Sequence, residues 1–236
     1  MKKTAAYMPA DLNRLERETG MMMATVESLS DAEMAAPSLC EGWTRAHVVA
    51  HLAGNARALS RLLEWAVTGT KTPMYESMEA REGEIEELAA LPPAELKRVL
   101  REANGAFAAA ADQLRNGTLA SEEVEMAVGP VNAYLIPAYR ISEILIHHHD
   151  LDTLWELHEA DMDALEDALD LAVFRIQQRD DFPGVQIETD EGESYLVGDG
   201  AVRLKGGRDA ILGWITRGLT EGVRTDGDLP EPPKFA

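Results

Sequence analysis

Arg140-Ile-Ser-Glu143-Ile-Leu-Ile-His147-His-His-Asp150 carries a carboxylate and an imidazole four positions apart inside a largely apolar run. Each helical residue turns by about 100°, so Glu143 and His147 leave the same face, one turn apart, as a two-point claw for a cation. His148 and His149 point elsewhere. Asp150 returns to the azimuth of Glu143 and can act as a further ligand or as a carboxylate behind one. The spacing alone leaves open a surface helix with an incidental Glu/His pair, because short motifs match by chance.

A claw of two needs a third group from another element. His47, His51 and Asn55 form an i, i+4, i+8 line beside the apolar stripe of Val48, Leu52, Leu59 and Leu62. Thr44 is the expected N-cap of this helix, which should run to about Val67 and close at Gly69. A histidine bordering a buried stripe can face a neighbouring helix, as a ligand in a bundle core must. Taken singly, His47 and His51 read equally well as satisfied boundary histidines. If His51 faces Glu143 and His147, the three make a ligand set that leaves one tetrahedral position open, the layout of catalytic zinc.

The flanking sequence supplies the remaining helices. Leu12, Leu15, Met22 and Val26 mark a helix from Asp11 to Leu29, and an acidic helix from about Met78 to Leu91 contains Arg81. Pro92-Pro93 open another, to about Leu114, stopping at Asn116-Gly117. Val124, Met126 and Val128 alternate as a short strand before Gly129-Pro130, and the last bundle helix starts near Pro137 and should reach about Leu157. About four long helices with permissive loops predict a bundle over residues 1–158. Beyond Glu159 the rhythm changes. A helix from Met162 to Gln178 precedes short strands at Val185–Thr189, Ser194–Val197 and Ala201–Leu204. Turn signals at Asp190-Glu-Gly192 and Gly198-Asp-Gly200 read as hairpins. A helix from Arg208 to about Thr216 and a short strand at Val223 complete a small α+β domain over 159–236.

Composition narrows the function. With 22 basic against 42 acidic residues, the formal net charge of -20 repels phosphate backbones and anionic lipid. Nucleic acid and membrane partners are not expected, and an anionic substrate requires local arginines. The start Met-Lys-Lys-Thr-Ala-Ala imitates a secretory leader, but Pro9, Asp11 and Asn13 interrupt where its apolar core should be, so a cytoplasmic location is expected. The single cysteine, Cys40, excludes an intrachain disulfide and reads as a structural thiol.

Three segments together carry a resemblance: Leu39-Cys-Glu-Gly-Trp-Thr-Arg-Ala-His-Val-Val-Ala-His51-Leu-Ala-Gly-Asn, then Thr68-Gly-Thr-Lys-Thr-Pro-Met-Tyr75 with Glu79-Ala-Arg81, and Arg140 to Leu151. They resemble the mycothiol-dependent maleylpyruvate isomerases, as do Thr216-Arg217-Gly and the ending Pro230-Glu-Pro-Pro-Lys-Phe. The resemblance implies a DinB-like four-helix bundle carrying zinc, a C-terminal α+β domain, and mycothiol as cofactor. It places the zinc ligands on His51, Glu143 and His147 and a catalytically important arginine on Arg217, with Arg81 a second candidate for a substrate carboxylate. The implied partners are a small anionic keto acid and a low-molecular-weight thiol. Two rival functions share this scaffold: a mycothiol S-transferase acting on another electrophile, and a non-enzymatic metal-binding DinB-like module.

Overall fold

A computed structural model describes residues 4–116, 122–126 and 129–232. The leader-like Met1-Lys-Lys, the helix stop at Gly117, the strand position Val128 and the closing Pro233-Lys-Phe235 lie outside the described residues. The chain divides into two compact units, one reaching Trp155 and the other starting at Glu156. No described helix is long and apolar enough to cross a membrane.

In the first unit, α1 (Met8–Ser28) is followed by the single turn α2 (Asp31–Met34), then α3 (Arg45–Thr68), α4 (Met78–Ala89) and α5 (Pro93–Asp112). The antiparallel pair β1 (Glu123–Met126) and β2 (Gly129–Asn132) leads into α6 (Ile136–Asp150). α3 packs on α5 and α6, and α1 packs on the same two, so these four close a ring while α4 covers the outside of α3. The stripe read from sequence forms the seam: Val48, Leu52, Leu59 and Leu62 are all buried. Each such aliphatic side chain stabilises the fold by ~1.5–3 kcal/mol relative to exposure.

The helix ends follow local chemistry. Thr44 caps α3, and Gly69 closes it in the left-handed conformation at φ 70. Pro137 sits in the first turn of α6, where its missing N–H removes no helical hydrogen bond. The C-terminus of α6 corrects the expectation: the helix stops at Asp150 rather than continuing to Leu157. Asp152 takes a positive φ of 51, and Arg45 donates to the carbonyls of Leu151 and Asp152, so the terminal carbonyls find partners that continued helix would not need. Pro130 lies inside β2, opposite Glu125, in a two-stranded pair where a missing donor is tolerated.

In the second unit, α7 (Met162–Gln177) precedes β3 (Val185–Thr189), β4 (Ser194–Val197), β5 (Val202–Gly206), α8 (Arg208–Arg217) and the short β6 (Arg224–Thr225). The sheet order is β4-β3-β5-β6. β3 and β4 form the expected hairpin, but β5 runs parallel to β3 on its other side, so Gly198-Asp-Gly200 opens a crossover and not a second hairpin. Gly184 is required at that crossing, since a Cβ there would sit 1.8 Å from Asp199 Oδ1 and 3.2 Å from its backbone nitrogen.

Candidate metal centre

Every residue of α6 is buried except Glu143 and His147. The helix is therefore sealed on all sides but the face that carries the claw. Facing it is His51 of α3, whose side chain is 5% exposed, against 16% for Glu143 and 15% for His147. His51 Nε2 lies 3.0 Å from Glu143 Oε2, and His147 Nε2 lies 3.7 Å from the same oxygen. The two imidazoles meet edge to face with centroids 4.4 Å apart. One donor atom from each of the three falls within 4.8 Å of the other two, close enough to share one cation. His51, Glu143 and His147 thus converge from helices 92 positions apart in sequence.

Charge and proton position suit cation binding. Burial, then repulsion from His147, pushes the His51 pKa down to about 4 against the pull of Glu143, so this imidazole is neutral at pH 7. Arg81, on α4, donates from Nη2 to His51 Nδ1 at 3.2 Å. Because a guanidinium can only donate, Nδ1 is the acceptor and Nε2 carries the hydrogen, directed at Glu143. Trp43 covers the His51 ring at 5.7 Å. On the other side, His147 Nδ1 lies 2.8 Å from Asp150 Oδ2, at ion-pair distance though without hydrogen-bond alignment. The Cys40 thiol donates to the same carboxylate oxygen at 3.2 Å.

The histidines of the two sequence motifs part company. His47 Nδ1 is 3.3 Å from the Thr44 backbone nitrogen and 2.7 Å from its hydroxyl, so this ring finishes the N-terminus of α3. Asn55 accepts from Arg140 at 2.7 Å. His148 faces away from the triad: its Nε2 is 2.7 Å from Thr25 Oγ1 and its ring stacks on Trp155 at 3.9 Å. His149 joins neither cluster of cation-capable side chains among the described residues, whereas Asp150 and Cys40 gather around His147. Arg217 ends α8 in the second unit, half-buried, with Nη1 donating to the Thr216 carbonyl at 2.6 Å.

Two features went unassigned in the sequence. Arg140 is fully buried and bridges Asn55 on α3 and Asn104 on α5, at 2.7 and 2.8 Å. Burial lowers its pKa to about 10, opposed by Glu143, so it remains a cation at neutral pH. An arginine between Tyr139 and Ile141 on an otherwise apolar helix was the available signal for it. The most prominent surface depression, about 410 Å³ and lined by Ser60, Val67 and Ala106 among others, contains none of the triad.

Residues 15–152 match the family model of the mycothiol maleylpyruvate isomerase N-terminal domain. The chain belongs to this family. It is also similar along nearly its whole length to a crystal structure of the mycothiol-dependent maleylpyruvate isomerase, 29% identical at a TM-score of 0.85, with 97% of each chain covered. A histidine-to-alanine mutant of that isomerase matches at 28% identity, a TM-score of 0.86 and the same 97% coverage of both chains. No curated protein matches the chain. The four-helix bundle followed by a small α+β unit is thus the architecture of the maleylpyruvate isomerases, and the family supports an isomerase of the mycothiol-dependent kind.

Proposed function

We propose that this chain isomerises maleylpyruvate to fumarylpyruvate, with mycothiol as thiol cofactor and a zinc ion held by His51, Glu143 and His147. The observation that carries the reading is the single opening in α6: its two partly exposed residues are the claw, and they meet a neutral His51. Two imidazoles and one carboxylate suit a borderline cation, and three protein ligands leave room for one more group. When bound, the cation favours the thiolate form of a coordinated thiol, and a thiolate is the nucleophile that can add to a conjugated double bond, permit rotation and leave.

The protein's own groups prepare this site. A cation on His51 Nε2 requires the hydrogen on Nδ1, and that tautomer no longer accepts from Arg81. Arg81 is then available to a substrate carboxylate through a charge-assisted hydrogen bond. Asp150 holds the hydrogen of His147 on Nδ1 and so keeps the Nε2 lone pair toward Glu143. Trp43 shields His51 from water. In a chain of net charge -20, a dianionic keto acid needs such local cations. Arg217 is the further guanidinium assigned to it, pairing a carboxylate or the negative charge that develops on the conjugated carbonyl.

The test is a spectrophotometric maleylpyruvate assay on metal-loaded and chelated protein, each with and without mycothiol. Turnover should occur only when both metal and thiol are present. Equal rates in the chelated or thiol-free arms would reject the reading, as would a metal-loaded, thiol-supplied arm that fails to turn over.

A further inference from the structure

The fully buried Arg140 has no place in the chemistry above, and its setting makes it unlikely to serve stability. "Unlikely" is quantifiable here: a buried charge loses several kcal/mol of hydration, and replacement of such groups by packed apolar residues is often neutral or stabilising. Its two hydrogen-bond partners, Asn55 Oδ1 and Asn104 Oδ1, are neutral amides, and its Nε has no hydrogen-bond partner among the described residues. Position supplies the reason for keeping it. Asn55 lies one turn after His51 on α3, and Arg140 lies about one turn before Glu143 on α6. Numbers rise along one helix as they fall along the other, so the two helices are antiparallel, and the pairs His51–Glu143 and Asn55–Arg140 are successive rungs between them. A helical turn separates rungs by about 5.4 Å.

We propose that Arg140 is a positioning residue for the three-ligand pocket: its fork ties α6 to α3 and α5 at once and fixes the register in which His51 meets Glu143 and His147. Asn104 is part of the device, since it holds the second arm of the fork from a third helix. A lysine keeps the charge but not the planar fork, and cannot replace it. This inference rests on the metal reading above.

Charge and position predict opposite signs. Removing a cation close to Glu143 should strengthen binding of a divalent ion, whereas losing the register should weaken it. The experiment is Co2+ titration of the chelated full-length parent, Arg140→Lys, Arg140→Met and Asn104→Leu, each shown folded by circular dichroism, with Kd taken from chelator competition and the visible spectrum of the bound ion recorded. Both Arg140 variants should bind Co2+ at least ~10-fold more weakly with an altered spectrum, and Asn104→Leu several-fold more weakly. A purely structural role would lower the unfolding midpoint and leave the folded protein's Kd and spectrum unchanged. An Arg140→Lys variant that matches a binding parent overturns the fork. Should both Arg140 variants fail to fold, Asn104→Leu decides: parental Kd and spectrum reject the inference, and weaker binding supports it. A parent that takes up no Co2+ overturns the metal reading and this inference with it, whereas a variant equal to a binding parent overturns this inference alone.

Discussion

His148 offers a worked test of how α6 is seated. Its ring is fully buried, stacked on Trp155 with 9° between planes, and bonded to Thr25 of α1. Burial, followed by the neighbouring His149, pushes its pKa down to about 3 from the ordinary 6.5. Between those values the unfolded chain holds a proton that the folded chain refuses. The stability linked to His148 is therefore complete above pH 6.5 and is lost as pH falls toward 3, at about 1.4 kcal/mol per unit. At pH 5 the loss is roughly 2 kcal/mol. His148→Gln removes the titration while keeping a group able to reach Thr25. At pH 7.5 the variant should be less stable than the parent by ~1–3 kcal/mol, from the lost stack and disturbed hydrogen bond. At pH 5 that gap should narrow by roughly 2 kcal/mol. Urea unfolding of both proteins at the two pH values, with chelator present, measures it, and His51 cancels because it is common to both. A gap that stays constant or widens at pH 5 would refute the assignment of His148 as a buried neutral histidine.

Three further outcomes are expected. Asp150→Asn should weaken metal binding by ~10–100-fold in folded protein, read by chelator competition, because the carboxylate behind His147 Nδ1 is lost. Arg217→Lys should lower kcat/KM for maleylpyruvate by ~10-fold or more while the Kd for metal stays parental, because one ammonium cannot reproduce a two-pronged guanidinium contact. Gly184→Ala should destabilise the protein by ~1–3 kcal/mol in urea unfolding, since the Asp199 side chain and then its backbone stand where the methyl must go.

The contrast between legible and hidden features follows range of interaction. Helical periodicity placed α1, α3, α5 and α7 to within a few residues, because a buried stripe repeats locally. The four-residue spacing of Glu143 and His147 named the claw, and the border position of His51 named the residue it meets. The end of α6 was hidden because Leu151, Trp155 and Leu157 continue an apolar rhythm, while the stop comes from Arg45, more than a hundred positions away. The line His47, His51, Asn55 gave three equal candidates for one face, and only tertiary partners separate a helix cap, a ligand and an arginine acceptor. Gly198 and Gly200 reported a reversal of the chain correctly, but not that β5 would pass β4 and pair with β3. A turn encodes its own geometry, and the choice of strand partner is made by the sheet.

Metal stoichiometry tests the centre most directly. Elemental analysis of the zinc-loaded, desalted parent should give one zinc per chain, and His51→Ala, folded by circular dichroism, should retain far less. A parent without bound zinc, or a His51→Ala protein that keeps one ion per chain, would contradict the shared site of His51, Glu143 and His147.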